Sequence, residues 1–116
     1  MSAPEPPPFE LHFIQTQASL VVEVLGEVDM ATAPELARTL AGVGEAVKRV
    51  VVDLTAVSFL DSSALNALVR SQRELTQRGI EFRVVSPADQ TIRRVFEITQ
   101  LIGPLGVVDT RADAGV

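Results

Sequence analysis

Asp61, Ser62 and Ser63 are the residues of this chain whose types and spacing admit chemistry. Three short, oxygen-bearing side chains follow an apolar run, Val50-Val51-Val52-Asp53-Leu54, and precede a stretch with helical periodicity. At such a junction a carboxylate or hydroxyl accepts hydrogen bonds from the unpaired amides of the first helical turn, so the simplest role for the triplet is an N-cap. Both hydroxyls lie within one residue of the expected helix start, and spacing alone does not choose between Ser62 and Ser63.

Other chemistries find less support. His12 is the single histidine and lies in an alternating stretch that turns it to solvent, without the partners that nucleophile and base arrangements require. There are no cysteines, hence no disulfide and no thiolate metal site. Neither G-x-x-x-x-G-K-[ST] nor G-x-G-x-x-G occurs. Asp53 follows a valine run as the acceptor of a phospho-receiver would, but no acidic pair follows the first strand to hold magnesium. The one lysine, Lys48, precedes the strand, and Asp53 reads as a strand-end or turn residue. The expectation is a protein that is not an enzyme and carries no cofactor. A net charge of −5 argues against nucleic acid or an anionic membrane as partner and leaves protein as the expected one. No apolar run approaches the ~20 residues that cross a bilayer, and the N-terminus lacks signal-peptide order, so a cytoplasmic location is expected.

The elements that position the triplet read in order. Residues 1–8, MSAPEPPP, are half proline without apolar period and are expected to form a disordered or polyproline-like lead. Phe9, Leu11 and Phe13 alternate with polar residues, and Leu20, Val22 and Val24 mark a second strand, predicting a hairpin joined near residues 15–18. Gly26-Glu27-Val28-Asp29 closes that strand. Thr32 with Glu35 reads as a capping box and Pro34 suits a first turn, so a helix starts at Ala33, buries Leu36, Leu40, Val43 and Val47, and loosens near Ala41. After the central strand at residues 50–54, a helix over residues 63–78 turns Leu65, Leu68 and Leu75 inward and Asn66, Arg70, Arg73 and Gln77 outward. Gly79 stops it, and Phe82, Val84 and Val85 supply a strand. Ser86 as cap and Pro87 at the first position predict a third helix with Ile92, Val95 and Phe96 inside, and Gln90, Arg93, Arg94 and Glu97 outside as solvated residues. Leu105 to Val108 read as a last strand before a polar tail over residues 111–116. The order β-β-α-β-α-β-α-β predicts one α/β domain over residues 9–110, with a mixed, mostly parallel sheet of about five strands, an N-terminal antiparallel hairpin and three or four helices.

Phe59-Leu60-Asp61-Ser62-Ser63-Ala64-Leu65, following Val-Val-Val-Asp-Leu, resembles the signature of STAS domains, and most closely that of bacterial anti-sigma factor antagonists. Gly26-Glu27-Val28-Asp29 is similar to the Gly-Glu-Leu-Asp segment common in that group. The resemblance spans roughly residues 9–109 and implies the STAS fold with Ser63, the second serine, as the phosphorylation site. It further implies a partner surface formed by Gly26, Glu27, Asp29, Thr32, Asp61, Ser62, Ser63 and Asn66. The implied partners are an anti-sigma factor that is also a serine kinase, bound when Ser63 is unmodified, and a serine phosphatase that restores binding. Phosphate at the implied site would add about −1.5 to −2 charges where helix amides and macrodipole favour negative charge by roughly 0.3–1 kcal/mol, and at most ~2, so the fold should survive it. A partner covering the same helix end would instead enclose an unpaired dianion beside Asp61, and a penalty of ~3–4 kcal/mol changes affinity by a factor of several hundred. One departure is Ala64, where antagonists commonly have glycine; it firms the first helical turn and adds a methyl group where a kinase would approach. Within the same fold, the alternative is a STAS subunit of a lipid-transport ATPase complex or a stress-signalling assembly, with the same surface as a constitutive contact.

Overall fold

The computed structural model describes residues 7–116. The first six residues of the expected lead lie outside the described residues. The elements are β1 (Glu10–Thr16), β2 (Ser19–Val28), α1 (Ala33–Ala41), β3 (Arg49–Leu60), α2 (Ser62–Gln77), β4 (Glu81–Val85), α3 (Arg93–Ile98) and β5 (Val107–Val108). Element types and order agree with the pattern. The sheet runs β1-β2-β3-β4-β5, antiparallel between β1 and β2 and parallel thereafter.

Strand alternation divides the side chains between two faces. Val22 and Val24 of β2, Val50, Val52 and Leu54 of β3, and Phe82 and Val84 of β4 are buried together with Leu36 and Leu40 of α1, Leu68 and Leu75 of α2, and Phe96 of α3. Val21, Val51 and Val85 point the other way and pack with Ala114. Burial on both faces explains why the valine run of β3 is unbroken rather than alternating.

Several local expectations give way to stronger interactions. β3 continues well past Leu54 to Leu60, so Asp53 lies inside a strand instead of at its end or in a turn. Its pairing with β4 stops at Asp53 and Val85, which leaves carbonyls farther along β3 in need of donors. Gln90, expected outside, supplies them: its Nε2 donates to the carbonyls of Leu54 (2.7 Å), Thr55 (3.1 Å) and Val57 (3.1 Å). Ser86 does not cap a helix. It is fully buried and donates to Gln90 Oε1 at 2.9 Å, so residues 87–92 form turns and α3 begins only at Arg93. Arg93 is likewise not a solvated charge; its Nη1 donates to the Ser86 carbonyl and to Asp109 Oδ1, tying the end of β4 to the chain after β5.

The polar segment after residue 110 folds back over the sheet face opposite the helices. Arg111 reaches Asp53 and Glu23, Ala114 is buried, and Arg49 Nη1 donates to the Gly115 carbonyl at 2.8 Å. At the other end of the chain, Pro7 and Pro8 lie against Gly26. Gly26 is inside β2, at an irregularity in its pairing with β3, with φ of +91°; a Cβ there would stand 2.9 Å from both proline carbonyl oxygens.

Candidate functional site

β3 delivers the chain to Asp61, whose extended backbone ends the strand and whose side chain starts α2 by accepting the Ala64 amide at 3.1 Å. The Asp61 amide donates to the Val28 carbonyl at 3.2 Å, which locks this corner to the end of β2. Ser62 and Ser63 are the first two helical residues. Among the described residues, neither their amides nor their hydroxyls have a hydrogen-bond partner. Ser62 is exposed and Ser63 half-buried. Ala64 is fully buried, so its methyl faces the core and does not stand in the approach to the serines, contrary to the expectation from sequence.

The loop from β2 to α1 stands beside this helix tip. Asp29 Oδ1 accepts from the amides of Ala31 (2.9 Å) and Thr32 (3.1 Å), while Thr32 Oγ1 accepts from the Asp29 amide (2.9 Å) and donates to the Glu27 carbonyl (3.0 Å). The Thr32 hydroxyl is therefore spent inside the loop, and no side-chain cap of the capping-box kind forms on α1. An Asx-type turn stands ahead of α1 instead, with Asp29 Oδ1 holding the Ala31 and Thr32 amides, while the Glu35 amide donates to the Thr32 carbonyl at 3.1 Å.

Between α1 and α2 runs an open groove of about 430 Å³. Ser63, Asn66, Ala67 and Arg70, at i, i+3, i+4 and i+7 on α2, make one wall; Met30, Ala33, Pro34, Ala37 and Arg38 make the other. Met30 is 78% exposed, and Phe59, just before the helix tip, is 47% exposed. Apolar side chains left this open beside polar ones are what a protein-docking patch requires.

The structure thus gathers Asp61, Ser62, Ser63 and Asn66 at one helix end and sets Glu27, at the end of β2, and Asp29 and Thr32, in the loop that follows, close by. Gly26 is not on that surface. It is buried, and its role is to let the lead residues pass. The pattern did not single out Met30 or Arg38, named Phe59 only within the signature and placed Arg70 only on the outward face of the helix; the readable signs were an isolated methionine in a polar loop and a phenylalanine just ahead of the helix cap.

Asp53, on the far sheet face, is buried and accepts from the Thr55 amide (2.9 Å), the Thr55 hydroxyl (2.6 Å) and Arg111 Nε (2.7 Å). Burial pushes its carboxyl upward, but the bonds from Thr55 and Arg111 outweigh that and hold it below the usual carboxylate range. The same pairing, with Asp53 foremost, raises the Arg111 guanidinium. This cluster ties the C-terminal segment to the sheet and stands apart from the serines. Among the described residues, no group of His, Asp and Glu side chains could hold a metal ion, and no helix is long and apolar enough to cross a membrane.

The STAS domain family model matches residues 11–114. The chain belongs to the STAS domain family. Its STAS relatives include an anti-sigma-B factor antagonist of Staphylococcus aureus, 36% identical over 81 residues, which is 69% of this chain and 74% of the relative. Another from Listeria monocytogenes is 38% identical over 80 residues, 67% of this chain and 68% of the relative. Among solved STAS structures, an anti-sigma factor antagonist from Mycobacterium paratuberculosis superposes with a TM-score of 0.81 at 33% identity, covering 98% of this chain and 95% of that one. The Bacillus cell fate determinant SpoIIAA, solved in its phosphorylated form, has a TM-score of 0.67 at 25% identity over 89% of this chain and 91% of its own. Within the STAS family the chain stands among the anti-sigma factor antagonists.

Proposed function

We propose that this STAS domain is an anti-sigma factor antagonist whose docking surface is the Ser63 end of α2 with the adjoining end of β2 and loop at residues 27–32, and that phosphorylation of Ser63 is its off-switch. Unmodified, the domain binds an anti-sigma factor and so frees a sigma factor for transcription. That anti-sigma factor is itself a serine kinase: the γ-phosphoryl group of ATP passes to Ser63 Oγ, ADP departs and the hydroxyl proton goes to solvent. A serine phosphatase then hydrolyses the ester with water and returns the hydroxyl.

The observation that carries this reading is the placement of the Ser63 hydroxyl, unpaired and open to a groove at a helix tip whose first amides have no acceptor among the described residues. A phosphate there gains amides and macrodipole, so the domain tolerates it. A covering partner does not, because it must desolvate a dianion beside the Asp61 carboxylate. That SpoIIAA has been solved in both unphosphorylated and phosphorylated forms, each similar to this chain, supports a modification that leaves a STAS fold standing. Ser63 is favoured over Ser62 because it lines the groove, whereas Ser62 faces solvent.

Mixing the protein with its cognate anti-sigma factor and ATP tests the proposal. Wild type should gain one phosphate, mapped to Ser63, and lose the complex; Ser63→Ala should gain none and stay bound. Equal phosphorylation of the two proteins would overturn it.

A further inference from the structure

The groove beside Ser63 carries a charge opposite to that of the chain as a whole. The protein has a net charge of −5, yet the charged side chains lining the groove are Arg38 and Arg70. Both are exposed, and among the described residues neither forms an ion pair. Glu35 and Glu74, three and four residues from Arg38 and Arg70 on the same helices, do not pair with them, and in the flanking loops Asp29 accepts from the Ala31 and Thr32 amides and Asp61 from the Ala64 amide. The walls between the two arginines are small and apolar, at Ala33, Ala37 and Ala67. Arginines left unpaired along an apolar trough suit a segment with one apolar face and carboxylates along its edges.

Resting on the reading of Ser63 as the switch, we propose that the groove between α1 and α2 receives an acidic amphipathic segment of the anti-sigma factor, held by Arg38 and Arg70, and that phosphate on Ser63 releases it by cancelling their charge. Ser63 and Arg70 share one face of α2 seven residues apart, roughly 10 Å along the axis, which is about one Debye length at an ionic strength of about 0.1 M. Two guanidinium groups contribute a charge of +2 and the phosphate about −1.5 to −2, so modification brings the groove close to neutral. The switch then acts along the length of the groove as well as at the helix tip.

Titration of the cognate anti-sigma factor against wild type, R38Q/R70Q and R38K/R70K, across a salt series, tests this. The glutamine pair should bind roughly 10-fold more weakly than wild type at low ionic strength, with a flatter salt dependence, and the lysine pair should restore most of the loss. Ser63→Asp should weaken binding by a smaller factor in the glutamine pair than in wild type. If the glutamine pair binds as wild type at every salt concentration while Ser63→Asp still releases the partner, the inference is overturned and the switch stands. If wild type does not bind the anti-sigma factor at all, both fall. Self-association of the chain alone, abolished in the glutamine pair, would assign the groove to a second copy and equally overturn the inference.

Discussion

Replacing Arg111 by alanine should unfasten the C-terminal segment from the sheet, and the structure sets the size of the effect. Arg111 Nε lies 2.7 Å from Asp53 Oδ2, and its Nη2 also contacts Glu23. The Glu23 pair is about one-third exposed on both sides and contributes little, because water screens it. The Asp53 bond is worth more: that carboxylate side chain is only 8% exposed, and a hydrogen bond between charged groups contributes about 1.5–3 kcal/mol. Removing one member of a fully buried pair would cost about 3–5 kcal/mol, but Arg111 is partly solvated and Thr55 keeps its two bonds to Asp53, which places the loss near 2 kcal/mol. For a chain of this size that is a fall in Tm of roughly 6–12 °C. The pH dependence has a definite sign. Asp53 is held below its unfolded value of about 3.9, so its contribution is complete above that pH and is lost as pH falls through the folded value. Thermal melts from pH 7 down to pH 3 should therefore show wild type losing its advantage over Arg111→Ala below about pH 4. A variant within 0.5 kcal/mol of wild type at pH 7, or two curves that stay parallel into acid, would refute the reasoning.

Two further substitutions probe the start of α2 and the passage of the lead residues across β2. Asp61→Ala removes the N-cap bond to Ala64 and should cost about 1 kcal/mol in urea unfolding while loosening the first turn of α2, seen as faster amide exchange at Ser63 and Ala64. Gly26→Ala places a Cβ 2.9 Å from two backbone oxygens at a positive φ, and should destabilise by more than about 1 kcal/mol, with increased protease cleavage near residue 8 as the lead residues are pushed away.

Periodic and punctuated segments were legible in the sequence. The valine run of β3, the apolar face of α2 and the alternation at β1 and β2 each report a burial pattern that a local window contains. What the sequence hides is long-range satisfaction of polar groups. Gln90 looks solvated until the unpaired carbonyls beyond Asp53 on β3 are seen, and the same need draws residues 87–92 away from the helix that Ser86-Pro87 would start. Arg111 and Ala114 look like tail residues because the partners that bury them, Asp53 and the valines of three strands, are distant in the chain. At the site, Asp61 acts as the cap that its type announces. Thr32 does not, because its hydroxyl is engaged by the Asp29 amide and the Glu27 carbonyl behind it. The groove beside Ser63 required the packing of α1 against α2, which no local pattern records.

The claim on which the proposed switch rests is that a phosphate at Ser63 alters binding without altering the fold. It is tested most directly by preparing the chain with phosphoserine at position 63 and measuring its melting temperature and its affinity for the cognate anti-sigma factor beside the unmodified protein. The expected result is a Tm within a few degrees of the unmodified protein, as an anion at a helix N-terminus should give, and a fall in affinity of roughly several hundred-fold. A phosphorylated protein that binds as tightly as the unmodified one, or that loses the partner only because it has unfolded, would contradict it.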